Sequence, residues 1–358
     1  MKIDMQAVMT HVAESRVSKR RDPFHGTYSI LNYTEKCVYE DTWDDITSNC
    51  RATVVDDEGE VVSKSLKKFM NLSRLTDTPA EVPELADKWD GSLVNVWWDP
   101  QQSKWRATTR GGWDGEQARA AQLWLPKLPL ADMLTDYTYL FELCAPWNRI
   151  VVMYPEERLV MIGWVNNETW YEHSYEMVNI EAKRIGWEDV VKYWMRDPKS
   201  VDMEARCNEE GYCVRWSNGL RAKIKYNQYV RLHKVLTGFS LHGIWEGLAQ
   251  GVQPDLTDLP EEFMKWYHGR IAEFCDKYST LCSQVELEWE RRPVKVMPEG
   301  DIYRAEARKQ TAISWAKLHS TVKASLFAKL DGKDYSSIVW KALRPHGEQP
   351  TFTTKKET

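Results

Sequence analysis

The sequence predicts an α+β fold, with a largely antiparallel-sheet domain over residues 1–240 followed by a smaller all-helical domain over residues 241–358. Three observations predict it. Short strand-like runs dominate from Thr27 to about Arg231, apolar residues recur at helical spacing after about Leu241, and 358 residues are too many for one core of ordinary size.

The strand-like runs are Thr27 to Leu31, Ala52 to Val55, Leu93 to Trp98, Tyr139 to Phe141, Ile150 to Met153, Leu159 to Ile162 and Leu220 to Ile224. Turn signals such as Asp57-Glu58-Gly59-Glu60 divide them, and helical stretches near Glu116 to Leu125 and Ser174 to Arg184 interrupt the series. Beyond Leu241 the pattern predicts helices over Glu261 to Tyr278 and Asp301 to Leu330, with Leu318, Val322, Leu326 and Leu330 at four-residue steps. Charge divides this region, since residues 244–290 hold 3 basic against 10 acidic side chains and residues 291–358 hold 14 against 7. The basic stretch, with Arg304, Arg308, Lys317, Lys323 and Lys329, is a candidate surface for phosphates. The end, Gln349 to Lys356, reads as a mobile tail.

With 48 Lys and Arg against 53 Asp and Glu, the net charge of -5 excludes a pervasively basic protein that coats nucleic acid. No apolar run approaches the ~20 residues of a membrane span, and the start carries no leader pattern, so a cytoplasmic protein without a membrane partner is expected. The seven cysteines include no C-x-x-C and are expected to be reduced core thiols. Eighteen tryptophans suit either a core or base stacking.

The sharpest motif is Lys88-Trp89-Asp90-Gly91-Ser92, a lysine at the junction of a strand and a turn. Around it stand Cys50-Arg51-Ala52, Lys67-Lys68-Phe69-Met70-Asn71 and Thr109-Arg110-Gly111. Further on come Phe141-Glu142-Leu143-Cys144-Ala145-Pro146-Trp147-Asn148-Arg149-Ile150-Val151 and Glu209-Glu210-Gly211-Tyr212-Cys213-Val214. Lys223-Ile224-Lys225 then leads into Tyr229-Val230-Arg231-Leu232-His233. In this order the set resembles the covalent nucleotidyltransferase superfamily and, within it, the bacteriophage RNA ligase 1 family. Met70 replaces an aromatic residue and Arg110 a lysine of that family's pattern.

The resemblance implies an ATP-dependent RNA ligase. Lys88 would be the nucleophile that takes AMP, with Lys223 and Lys225 at the α-phosphate and Arg51 and Lys68 at the β- and γ-phosphates. Glu142 would hold the ribose and Glu210 Mg²⁺, while Asp90 would organise the turn and Gly91 would let the backbone approach the nucleotide. An attacking amine must be unprotonated, and a cationic, partly desolvated setting weakens its hold on the proton. Lys223 and Lys225 are expected to provide that setting. Trp147 and Trp164 are candidates for stacking on adenine, Arg110 is open between structural and ligand roles, and His233 and His242 read as structural.

The implied partner is RNA with 5′-phosphate and 3′-hydroxyl ends, such as nicked tRNA, alongside an end-healing enzyme in host-cell cytoplasm if the chain is phage-encoded. A capping guanylyltransferase or a DNA ligase would share the lysyl-nucleotide step. Both normally place an oligonucleotide-binding barrel after the Lys-x-Lys element, where this sequence reads as helical.

Overall fold

A computed structural model describes residues 2–345 apart from 205–207, 239, 253, 255, 257–260 and 297–298. The tail at 349–356 and Cys207 therefore lie outside the described residues. The chain divides into two compact units, Met1–His233 and Lys234–Thr353.

The first unit is mixed, with helices α1 (Met5–Ala13), α2 (Glu35–Tyr39), α3 (Asp45–Asn49), α4 (Glu116–Trp124) and α5 (Tyr175–Ile185), and α6 (Asn227–Gly238) leading out of it. Its strands are β1 (Val17–Arg21), β2 (Ser29–Tyr33), β3 (Arg51–Val55), β4 (Val61–Ser63), β5 (Met70–Asn71), β6 (Glu84–Lys88) and β7 (Ser92–Asp99). They continue with β8 (Lys104–Thr109), β9 (Tyr137–Cys144), β10 (Arg158–Asn166), β11 (Tyr193–Met195), β12 (Gly211–Arg215) and β13 (Arg221–Lys225). These form three sheets in the orders β1-β2-β3-β4, β10-β9-β7-β8 and β11-β6-β12-β13-β5. All pairings are antiparallel except β13 with β5.

Local sequence explains several of these elements. Asp4 caps α1 by accepting the amides of Gln6 and Ala7, and Ser174 caps α5 through Met177. The Asp57-Glu58-Gly59-Glu60 turn joins β3 to β4. There Gly59 has φ +82° and a side chain would strike the Ile3 carbonyl at 2.6 Å. The largest core packs the β7-β9-β10 sheet, through Val94, Phe141 and Met161, against Ala121 of α4 and Val178 and Ile185 of α5. Arg106 of β8 is buried between the rings of Trp97 and Trp113 and pairs with Asp22 at 2.8 Å and Asp99 at 3.2 Å, tying the first two sheets together.

Three expectations are corrected, the third in the helical unit. Ile150 to Met153 forms no strand, because the amides of Val151 and Val152 serve the Asp90 carboxylate instead of a ladder. The six described cysteines are free, but Cys275 is exposed and only Cys37, Cys50 and Cys144 are buried.

The second unit is helical among its described residues, with α7 (Leu241–Gln250), α8 (Glu261–Glu290), α9 (Asp301–Ser314), α10 (Ser320–Leu330) and α11 (Ser336–Ala342). The single helix expected over Asp301 to Leu330 is broken in two. Thr311 and Ser314 hydroxyls bond back to the Ala307 and Thr311 carbonyls, and the break lets Trp315 bury itself with Val285, Val322 and Leu326. The basic stretch is partly neutralised within the unit, as Arg308 pairs with Asp331 and Lys329 with Glu286. Among the described residues no helix is long and apolar enough to cross a membrane.

Candidate active site

Lys88 is the last residue of β6, and the turn after it carries the chain from the third sheet into β7 of the second. At its other end β6 is fixed by Glu84, whose carboxylate accepts the first α5 amides, Tyr175 at 3.0 Å and Glu176 at 3.1 Å. The turn is held by Asp90, which is buried. Its carboxylate accepts the amides of Val151 and Val152 at 2.8 and 2.9 Å and the Tyr229 hydroxyl at 2.7 Å. Its own amide donates to the Tyr154 hydroxyl at 2.9 Å. Asp90 is thus spent on the turn.

Gly91 meets a packing need of its own. A side chain there would lie 2.4 Å from the Leu143 carbonyl oxygen, so the glycine permits close approach to β9. Its amide donates to Glu142 Oε1 at 3.1 Å, which orients that carboxylate toward the lysine end of the turn.

Across the third sheet, Lys88 lies opposite Gly211, which lies opposite Lys225. Glu210, one residue before Gly211, is buried and receives both amines: Lys88 Nζ at 2.8 Å and Lys225 Nζ at 2.8 Å. Gly211 has φ +141°, and a side chain would meet the Ile224 carbonyl at 2.1 Å, so only glycine brings Glu210 into this position. On β13, Arg221, Lys223 and Lys225 share one face by strand alternation.

The protons do not fall where a cationic setting alone would put them. Burial weakens the hold of Lys88 on its proton, but the Glu210 carboxylate, with Cys213 and Glu142 behind it, outweighs burial and raises its pKa above the usual lysine value. The depressed amine is Lys223, pushed down to about 7 by burial and by Lys68, Lys225, Lys88 and Arg51. Lys68 is pushed down to about 8 by burial and by Arg51, Arg110 and Arg74. Glu142 is pushed up to about 7 by burial and by Glu210, against the pull of Lys88 and Arg51.

A pocket of about 410 Å³ gathers Arg51, Lys88, Asp90, Gly91, Glu142, Glu210 and Lys225. Lys68 and Lys223 are not among its lining, although their charges act on the same group of cations. Arg51 leaves its buried Nη1 without an acceptor, and Lys68 lies over the rings of Tyr33 and Trp43 at 5.4 and 5.0 Å. Both stacking candidates lie elsewhere. Trp147 donates to Glu157 at 2.6 Å, and Trp164 stacks on Tyr137 and His173 at 4.4 and 4.1 Å. Residues that chemical reasoning had left open or passed over do line the pocket, including Arg110, Tyr229, Gln117 and His233. Tyr229 and His233 sit in the Tyr-Val-x-Leu-His run, one helical turn apart on α6, and that spacing was the available signal. His242 lies in the second unit beside Trp245.

For a metal, no group of three or more His, Cys, Asp or Glu suited to an ion occurs among the described residues. Mg²⁺ needs only one or two carboxylates, because waters and substrate oxygens complete its shell. The buried Glu210 fits that requirement.

An antiparallel α+β fold that presents a K-x-D-G lysine among a buried carboxylate and a row of cations is that of a nucleotidyltransferase. The model of a family described as RNA ligase matches residues 49–229, half of the chain, and the chain belongs to that family. Solved structures to which it is similar include an archaeal ATP-dependent RNA ligase, 14% identical, with 92% of this chain and 96% of that chain covered and a TM-score of 0.49. A protein of Aquifex aeolicus named as a candidate ATP-dependent DNA ligase is 13% identical, with 92% and 88% covered and a TM-score of 0.47. A Naegleria gruberi RNA ligase mutant with ATP and Mn is 10% identical, with 65% and 84% covered and a TM-score of 0.39. Membership of the family rests on the sequence match, not on these distant likenesses.

Proposed function

We propose that this RNA ligase uses ATP, carries AMP on Lys88, and joins RNA 5′-phosphate to 3′-hydroxyl ends. The observation that carries the reading is the placement of Lys88 and Lys225 on the two oxygens of Glu210, at 2.8 Å each, in a pocket with Arg51 and Glu142. Glu210 keeps Lys88 in its charged form. Glu210 would hold Mg²⁺, whose chemistry here would be to neutralise charge on the phosphate oxygens. Sharing the Glu210 carboxylate with that ion would weaken the counter-charge of Lys88 and leave its amine facing Lys225, Lys223 and Arg51. Its proton then leaves more readily.

The free amine of Lys88 attacks the α-phosphorus of ATP, an N–P bond forms, and the P–O bond to pyrophosphate breaks. Lys225 and Lys223 steady the α-phosphate, and Arg51 and Lys68 the departing charge. An RNA 5′-phosphate oxygen then takes AMP as the N–P bond breaks, the electron pair stays on Lys88 Nζ, and the nitrogen regains from solvent the proton it gave up on attack. Last, an RNA 3′-hydroxyl attacks that 5′-phosphorus, AMP leaves, and the hydroxyl proton is released. Glu142, half-protonated near pH 7, is suited to hold the ribose hydroxyls as either donor or acceptor.

The further reading is RNA repair in a cytoplasm, with broken tRNA as a substrate, an end-healing enzyme supplying the 5′-phosphate, and residues 241–358 selecting the RNA. Helices alone follow β13 among the described residues, which favours this over a capping enzyme or DNA ligase with a barrel at that place. The test is sealing of a 5′-phosphate, 3′-hydroxyl RNA, and of its DNA counterpart, with ATP or GTP. RNA joined with ATP alone supports the reading, and activity only with GTP or only on DNA defeats it.

A further inference from the structure

A second and larger cavity, about 720 Å³, opens in the first unit beyond the far end of β13. Lys64, Lys67, Lys68 and Arg221 bring four cations to it, and Asp45 and Glu172 bring two carboxylates. Both carboxylates are already taken, Asp45 by Lys67 at 2.6 Å and Glu172 by Arg221 at 2.8 Å. Among the described residues neither Lys64 nor Lys68 has a carboxylate within ion-pair distance, although the charge of Glu172 acts on Lys64. Lys64 is fully buried, donates only to the Ser65 carbonyl at 2.7 Å, and is pushed down to about 8 by burial and the neighbouring cations.

Donors without acceptors surround the same place. Nη1 of the buried Arg221 and Nε1 of Trp170 have none. Trp170 is held at φ +58°, a strained setting for a bulky residue, by a turn in which Asn166 accepts the amides of Glu168 and Thr169. Buried orphan donors and an excess of cations over carboxylates together call for an anion. Beside them Tyr171 stands 55% exposed next to a cationic floor, with the ring of His173 edge-on to it at 4.8 Å.

Arg221 is four residues from Lys225 on the same face of β13, so the cavity lies about 13 Å along the strand from the Lys88 end. Lys223 stands midway, making a cationic row between the two places. Cations in a row with an aromatic platform are the chemistry that holds an unpaired nucleic-acid strand. We propose that this cavity binds single-stranded RNA, with a backbone phosphate at Lys64 and Arg221 and a base against Tyr171. The proposal rests on the reading of the chain as an RNA ligase, and names where a strand is held outside the Lys88 pocket.

The test is anisotropy of a labelled single-stranded oligoribonucleotide titrated with the full chain and its Tyr171→Ala and Lys64→Met variants, alongside label transfer from ATP to the protein. Tyr171→Ala removes an exposed ring and leaves the core intact, so it reports even where Lys64→Met fails to fold. Both variants are expected to weaken RNA binding about tenfold and to leave label transfer within about twofold. Lys64→Met also lowers the salt slope of binding by about 0.7. Unchanged RNA binding by Tyr171→Ala, or slowed label transfer with unchanged RNA binding, overturns the proposal; the second outcome assigns the cavity to the ATP phosphates. A parent protein that binds RNA but takes no label from ATP contradicts the ligase reading and leaves this site standing.

Discussion

At the scale of single residues, the turn after Lys88 explains why its sequence is so restricted. Asp90 supplies three accepted hydrogen bonds to fix the loop, and Gly91 leaves no room for a side chain against Leu143. Asp90→Asn exchanges one acceptor for a donor facing an amide or hydroxyl, and should cost about 1–3 kcal/mol of stability. Tyr229→Phe removes one bond and should cost about 0.5–1.5 kcal/mol. Urea unfolding of both variants checks the order, and a harmless Asp90→Asn would show that the turn is held by something else. The role of Asp90 was legible in the sequence, but the partner of Gly91 was not, because a close approach to β9 depends on sheet pairing that no local pattern encodes. The protonation of Lys88 was also out of reach. It follows from Glu210 lying within 2.8 Å, not from the number of lysines nearby.

At the scale of elements, β13 turns a short alternating run into a row of cations, of which the sequence reading named Lys223 and Lys225 but not Arg221. The Ile150 to Met153 run misled, because its apolar residues fit a strand while its amides are recruited by Asp90. Trp147 and Trp164 misled for a related reason, since a tryptophan beside a motif serves core packing as readily as stacking. Arg51 and Lys68 are assigned to phosphates that depart with pyrophosphate. Alanine at either should therefore slow transfer of AMP to the protein yet spare sealing of a pre-adenylylated RNA, and equal loss in both assays would refute the assignment. Protons supply a second check. With Lys223 at about 7 and Lys68 at about 8, both amines are wholly or largely charged at pH 6 and substantially neutral at pH 8. Phosphates beside them favour the charged form, so ATP binding by Lys88→Ala protein should take up protons at pH 8 and few at pH 6. Calorimetry in buffers of different ionisation enthalpy reads the sign, and proton release at pH 8 would contradict it.

At the scale of the whole molecule, the α+β unit followed by helices was legible from periodicity, whereas the break between α9 and α10 was not. Nothing between Ser314 and Ser320 is a glycine or proline, and it is the burial of Trp315 that rewards the interruption. The motifs end by His233, so a chain ending near Thr237 should still form the protein–AMP adduct but lose its preference for a nicked tRNA loop over a plain single strand. Retention of that preference by the soluble shortened protein would give residues 241–358 another purpose. Ligation through Lys88 depends on one covalent bond, and its most direct test is exposure of the parent and Lys88→Ala proteins to α-labelled ATP and Mg²⁺, followed by denaturing electrophoresis. The parent should carry an acid-labile label that pyrophosphate removes, and the folded Lys88→Ala protein should carry none. Label on Lys88→Ala protein, or none on the parent, would contradict the account.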